Sequence, residues 1–160
     1  MRAEKALDKI GVKILEIIQN NARISYSGLG CMIGLSPPAA AARVRQLEEQ
    51  GHIREYRACV AGEKLGLPYS AFISVSPNAG HRGYIDDIAQ RTPEIIEEHH
   101  LTSMGEDGCD GIIMKVMFSS MSHLESIIDK IAAHGETSTS IILSSSVSNR
   151  ALGVRVPDEV

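Results

Sequence analysis

Two adjacent prolines, Pro37 and Pro38, follow Ser36 and precede four alanines, Ala39 to Ala42. Proline has no backbone N–H and clashes with the carbonyl four residues earlier, so a helix accepts it only in its first turn. A helix here must therefore begin at Pro37, with the Ser36 hydroxyl as its N-cap. The alanines favour helix and Gly51 provides a stop, which frames about fourteen helical residues. Upstream, Leu7, Ile10, Ile14 and Ile17 recur at spacings of three and four and predict a helix over Leu7–Asn20. Ser25 can cap a short second helix carrying Leu29, Met32 and Ile33, and Gly34 stands just past its end, where a left-handed residue closes a helix. Gly28 and Gly30 each cost that helix about 1 kcal/mol relative to Ala, and they permit either close packing or a frayed turn. Three helices, the last two only a few residues apart, form a helix-turn-helix pattern.

On the third helix, Ala40, Val44 and Leu47 share the face that packs inward. Ala39, Arg43 and Gln46 fall on another face, with Ser36 and Pro38 near the N-terminal end. A helix of this kind enters a major groove N-terminus first. Alanine lets the backbone come close and offers its methyl to thymine methyls, and Gln46 matches an adenine edge. Arg43 and Arg45 supply phosphate neutralisation or bidentate contact with guanine. The helix by itself also fits an ordinary alanine-rich surface helix; charge supports the DNA reading. Residues 1–60 hold nine Lys/Arg against six Asp/Glu, a net +3, whereas 61–160 carry −7 of the total of −4.

The stretch from His52 to Val60 is richer in extended-type residues and is expected to form a small β-wing. Residues 62–69, with Gly62, Gly66 and Pro68, read as a hinge between a DNA-binding domain over 1–61 and a second domain over 70–150; 151–160 read as a tail that is an arm or disordered. In the second domain, strands are expected over 70–76, 94–104, 111–120 and 137–147. Helices are expected over 81–92, with Tyr84, Ile85, Ile88 and Ala89 inward, and over 122–135, with Leu124, Ile127, Ile128 and Ile131 inward. The order βαββαβ is that of a ferredoxin-like sandwich, so the chain is α+β: a winged helix-turn-helix followed by a sheet-and-helix domain. An exposed sheet face lined by Ile112, Met114 and Val116 is expected to need a cover, which points to a homodimer with room for higher assemblies.

Other chemistries find little support. Cys31, Cys59 and Cys109 are odd in number and far apart, which suggests neither a disulfide framework nor a zinc site, and Cys31 reads as a small core residue. No nucleotide-binding or nucleophile-elbow motif occurs. The segment Gly105-Glu106-Asp107-Gly108-Cys109-Asp110-Gly111 lacks the alternation of an EF-hand. As a glycine-rich turn it either exposes its charges to water or holds a ligand. In the second case the N–H groups of Gly105 and Gly108 take a carboxylate, and Asp107 or Asp110 takes an ammonium group. His99 and His100 are neighbours on a strand and point to opposite faces, unsuited to sharing one metal. No metal, cofactor or catalytic residue is expected. No apolar run reaches the roughly 20 residues of a membrane span and the charged N-terminus is not a signal peptide, so the expected location is cytoplasmic.

The run from Leu7 to Gly30 followed by Gly34 to Ala58 resembles the N-terminal domain of the Lrp/AsnC (feast/famine) transcriptional regulators. The similarity rests on Leu7-Asp8, Ile14-Leu15, Gln19, Ala22-Arg23-Ile24, Leu29, Gly34-Leu35-Ser36, Arg43-Val44, Leu47-Glu48, Gly51 and Ile53. Residues 135–150 are similar to that family's final strand, and 97–108 stand where its effector loop is expected. Gly11 replaces a usual acidic residue, Gly30 replaces a better helix former, and the loop lacks the family's aromatics. The resemblance implies a reader of double-stranded DNA joined to an amino-acid-binding domain. It assigns the effector to Gly105, Glu106, Asp107, Gly108 and Asp110, with Thr137 or Thr139 beside the pocket at a subunit interface. Two rival readings remain: a small metal- or acid/base-dependent enzyme using the acidic loop and His99 or His100, and an effector-sensing module whose first domain contacts protein.

Overall fold

The computed structural model describes residues 7–102 and 111–154. The chain divides into two compact units. One comprises the chain up to Ala58 together with the segment from Val147 onward; the other is Cys59–Ser146.

The first unit is built from α1 (Lys9–Asn20), α2 (Tyr26–Ile33) and α3 (Pro37–Glu49). Each start follows from its cap. The Asp8 carboxylate accepts from Gly11 N, the Ser25 hydroxyl from Gly28 N and the Ser36 hydroxyl from Ala39 N, satisfying amides that lack helical partners. Gly34 closes α2 at φ 75°, a left-handed conformation that a side chain would strain. Close packing accounts for Gly30: a Cβ there would lie 2.4 Å from the Leu35 carbonyl oxygen, so glycine lets α2 turn tightly into α3. The core joins Ile14, Ile18, Leu29, Ala40, Val44 and Leu47.

Several sequence expectations shift. The inward stripe of α1 runs through Gly11, Ile14 and Ile18, rotated from the Ile10 and Ile17 reading; Ile10 is partly exposed. Gly11 takes the place of a side chain at the contact with Leu7 and Leu47. Met32 and Cys31 are exposed, because a helix this short buries only Leu29 and Gly30. The wing does not form: among the described residues, 52–60 contain no strand. The segment is held instead by Tyr56, whose hydroxyl donates to Glu48 Oε1 at 2.8 Å. Burial, and then that bond to Glu48, push the Tyr56 phenol up to about 12. Of the C-terminal tail, the described residues 151–154 lie as an arm against the first unit. Leu152 N donates to Gln19 Oε1 at 2.7 Å and Gln19 Nε2 donates to Leu152 O at 3.2 Å, pairing it with α1.

The second unit holds β1 (Tyr69–Pro77), α4 (Arg82–Arg91), β2 (Ile95–Leu101), β3 (Gly111–Phe118), α5 (Met121–Ala132) and β4 (Gly135–Ile141). The expected hinge lies within it, and Gly62–Leu65 forms a 3₁₀ turn ahead of β1. The sheet is antiparallel in the order β2-β3-β1-β4, the βαββαβ arrangement. Both helices cover one face. Ala71, Ile73 and Val75 of β1 and Ile112, Met114, Val116 and Phe118 of β3 pack there on Ile85, Ala89, Leu124, Ile127 and Ile131. Ile112, Met114 and Val116 are therefore core, contrary to the sequence expectation. Lys115 shares its parity with Ile113 and Met117, so the alternation of β3 itself marks that set as the one turned from the helices; the expectation assigns the faces the wrong way round. The face turned from the helices carries exposed Phe72 and half-buried Ile113, Lys115 and Met117, in the registers Phe72↔Lys115 and Ser74↔Ile113, and the Met117 methyl packs against Gly62 of the 3₁₀ turn. Tyr84, expected inward, is exposed and stacks on His134. β4 ends at Ile141, short of the expected 147.

Candidate nucleic-acid interface and effector domain

Three faces of α3 differ in kind. Ala40, Val44 and Leu47 are buried. Directly opposite, Pro38, Ala42, Arg45 and Glu49 are exposed, at spacings of four, three and four. This outward stripe is narrow and small, with a cation at its middle; only Glu49, at the far C-terminal end, opposes a polyanion. The flank bearing Ala39, Arg43 and Gln46 is half-buried and already engaged. Arg43 pairs through Nη2 with Asp8 Oδ1, the same oxygen that caps α1, and through Nη1 donates to Gln46 Oε1 at 2.8 Å. Its Nε is buried without a partner among the described residues. Arg43 thus fastens the start of α1 to α3 and occupies Gln46, which corrects the expectation that both face outward to a groove. Of the residues expected at the interface, Ser36, Pro38 and Arg45 are exposed, and Ala39 is half-buried. Ala42 is exposed on the same stripe and was not singled out from the sequence. Its signal was available: it lies opposite the Ala40–Val44–Leu47 stripe. Lys13, Arg23 and Arg54 are exposed on the same unit, in keeping with attraction to phosphate.

In the second unit, Gly105, Glu106, Asp107, Gly108 and Asp110 lie outside the described residues. Their anchors are described: β2 ends at Leu101 and β3 starts at Gly111, paired side by side. Thr137 and Thr139 stand on the edge strand β4, opposite Val75 and Ile73, and so face the helix side. Thr137 is half-buried and Thr139 exposed. Through Val75, Thr137 shares the end of the sheet where β3 begins. Two strand spacings, about 10 Å, separate β4 from β3. His99 and His100 point to opposite faces and meet different carboxylates: His99 Nε2 lies 3.6 Å from Glu97, and His100 Nε2 lies 3.0 Å from Asp86. Lys115 donates to Glu97 at 3.2 Å. Burial works to raise the Glu97 carboxyl, but Lys115 and then His99 outweigh it and hold the group below its ordinary value.

Comparison with known proteins covers both units. Residues 7–48 match the AsnC-type helix-turn-helix domain, and residues 70–152 match the Lrp/AsnC ligand-binding domain. The chain belongs to the Lrp/AsnC family of transcriptional regulators. It is 36% identical over 140 residues to the HTH-type transcriptional regulator YezC of Bacillus subtilis, a match spanning 88% of this chain and 96% of that one. The solved structure of B. subtilis LrpC superposes with a TM-score of 0.81 at 29% identity, covering 90% of this chain and 99% of LrpC. A Neisseria meningitidis transcriptional regulator, solved as its L-methionine complex, gives a TM-score of 0.81 at 27% identity, covering 91% and 96%. As an Lrp/AsnC protein, the chain joins a DNA-binding helix-turn-helix to a ligand-binding domain, in the α+β architecture of those structures. Among its described residues no helix is long and apolar enough to cross a membrane.

Proposed function

We propose that the Pro38–Ala42–Arg45 stripe of α3 enters the major groove of double-stranded DNA, with Ser36 at the leading end, and that this reading is switched by an amino acid. The supporting observation is the division of labour on α3. The cation engaged within the unit is Arg43, whereas Arg45 stands in solvent on the face of least side-chain bulk. Small side chains admit the backbone to the groove, and Arg45 neutralises phosphate or reads guanine. Two copies pair through the open sheet face around Phe72, Ile113 and Met117, giving one particle two reading helices and its operator two half-sites. The effector is an amino acid, as in the Neisseria relative's L-methionine complex. Its carboxylate is held by the N–H groups of Gly105 and Gly108, and its ammonium group by Asp107 or Asp110, with Glu106, Thr137 and Thr139 lining the site from neighbouring copies. Such a ligand switches DNA binding only if it favours one arrangement of the copies over another.

Selection of bound genomic DNA, with and without a panel of amino acids, tests this reading. A two-fold symmetric consensus that responds to one amino acid is expected. Arg45→Ala should weaken binding about tenfold and lower the salt slope by about one; unchanged affinity and slope would take this stripe out of the groove. Asp107→Asn with Asp110→Asn should abolish the amino-acid response and spare basal binding. A response that survives both changes refutes the loop assignment.

A further inference from the structure

The geometry points to a binding site for a first-row divalent transition metal ion, Zn²⁺ the foremost, formed by Asp86 of α4 and by Glu98 and His100 of β2. One ligand atom from each of the three lies within 4.8 Å of the other two. The placement follows from the fold. Glu98 and His100 are two apart on a strand, so both project to one side. Their partners in register, Met114 and Ile112, are core residues, so that side is the one the helices cover. β2 is an edge strand, and α4 brings Asp86 to its rim, leaving the site lined by packed structure but open at His100.

Two features set this cluster apart from a solvated charge patch. Glu98 Oε1 is shut off from solvent and accepts no hydrogen bond from the described residues. A buried carboxylate oxygen without a donor is costly unless a cation or donor meets it. It also faces a second carboxylate, that of Asp86. A divalent ion would satisfy the orphaned oxygen and neutralise the repulsion together. His100 Nε2 is already 3.0 Å from Asp86 Oδ1, close to the separation of two ligands on one ion with bonds of about 2.0–2.2 Å. The set needs only a small contraction to close, with water completing the shell at the exposed side. An imidazole with two carboxylates suits zinc, cobalt or manganese, whereas calcium and magnesium prefer oxygen alone. The other close imidazole pair, His81 and His134 with Nδ1 atoms 3.1 Å apart, supplies two nitrogens and no carboxylate to the cluster. Bound metal would fasten α4 to the sheet edge, a role separate from DNA reading.

The test uses the full chain, stripped with chelator and titrated with Zn²⁺ against a competing chelator, then with Co²⁺ for its visible spectrum. Expected are one ion per chain, a higher melting temperature with Zn²⁺, and a Co²⁺ spectrum without a thiolate charge-transfer band. Glu98→Gln, His100→Asn and Asp86→Asn should each weaken binding at least tenfold. The double variant His81→Ala with His134→Ala should bind as the parent does. Glu98→Gln is nearly isosteric, so circular dichroism separates lost binding from lost folding. Absence of stoichiometric binding overturns the site, as does binding that persists in Glu98→Gln and His100→Asn, or a thiolate band.

Discussion

α3 and β3 each bury one face fully and leave another less covered, and those second faces differ. On α3 the outward stripe is Pro38, Ala42, Arg45 and Glu49: two small apolar side chains toward the N-terminus, then a cation and an anion. Around β3 it is Phe72, Ile113 and Met117, beside a Lys115 already paired with Glu97. The first suits a hydrated polyanion, which needs close approach and charge. The second suits an apolar partner, because large side chains left in water favour association. What an element leaves uncovered thus indicates what covers it, once the packed face is known.

The largest expected effect removes one side of the comparison. Gly30→Ala places a Cβ 2.4 Å from the Leu35 backbone oxygen, and neither backbone can yield without opening the α2–α3 turn. The first unit should lose about 3 kcal/mol or more in denaturant melts, and DNA binding should go with it. Retention of both would mean that the turn relaxes freely. Next, Phe72→Glu puts a charge on the open sheet face. Sedimentation should show the dimerisation constant weakened about a hundredfold, as for a central interface residue. A variant still fully dimeric would place the interface elsewhere.

The two arginines of α3 sharpen the contrast further. Arg43→Ala removes the Asp8 and Gln46 bonds and should destabilise the first unit by about 1–2 kcal/mol, read from denaturation midpoints. Arg45→Ala should leave those midpoints within about 0.5 kcal/mol. Equal effects would erase the distinction between bracing and reading residues. The smallest effect belongs to Tyr56. Its neutral phenol is favoured in the fold, so its contribution is complete below the ordinary tyrosine value and is lost as pH rises toward about 12. An alkaline titration by phenolate absorbance should show one late-ionising tyrosine, absent in Tyr56→Phe. A late phase that persists in that variant would assign it to another tyrosine.

Much of this was legible in the residues. Ser25 and Gly34 bound α2, while Ser36 with Pro37 starts α3, because caps and prolines act within one turn of chain and need no distant partner. The ββ and αβ alternation of the second unit was equally readable, since periods of two and three to four are local properties. The candidate site was only half legible. Of the α3 residues expected there, Ser36, Pro38 and Arg45 stand exposed, as does Ala42, which the sequence reading did not single out, whereas Arg43 and Gln46 are half-buried and bonded to each other.

Tertiary structure alone decided the rest. Arg43 turns inward because Asp8, 35 residues away in the chain, comes within reach only when α1 packs on α3. Both parities of β3 carry large apolar side chains, and packing of the helices on Ile112, Met114 and Val116 is what buries that set fully while Ile113 and Met117 stay half-buried beside Lys115. Asp86, Glu98 and His100 meet only because α4 crosses to the rim of β2. Local order is written in neighbouring residues; the selection of partners across the chain depends on which surfaces bury the most apolar area together, and that is a property of the folded whole.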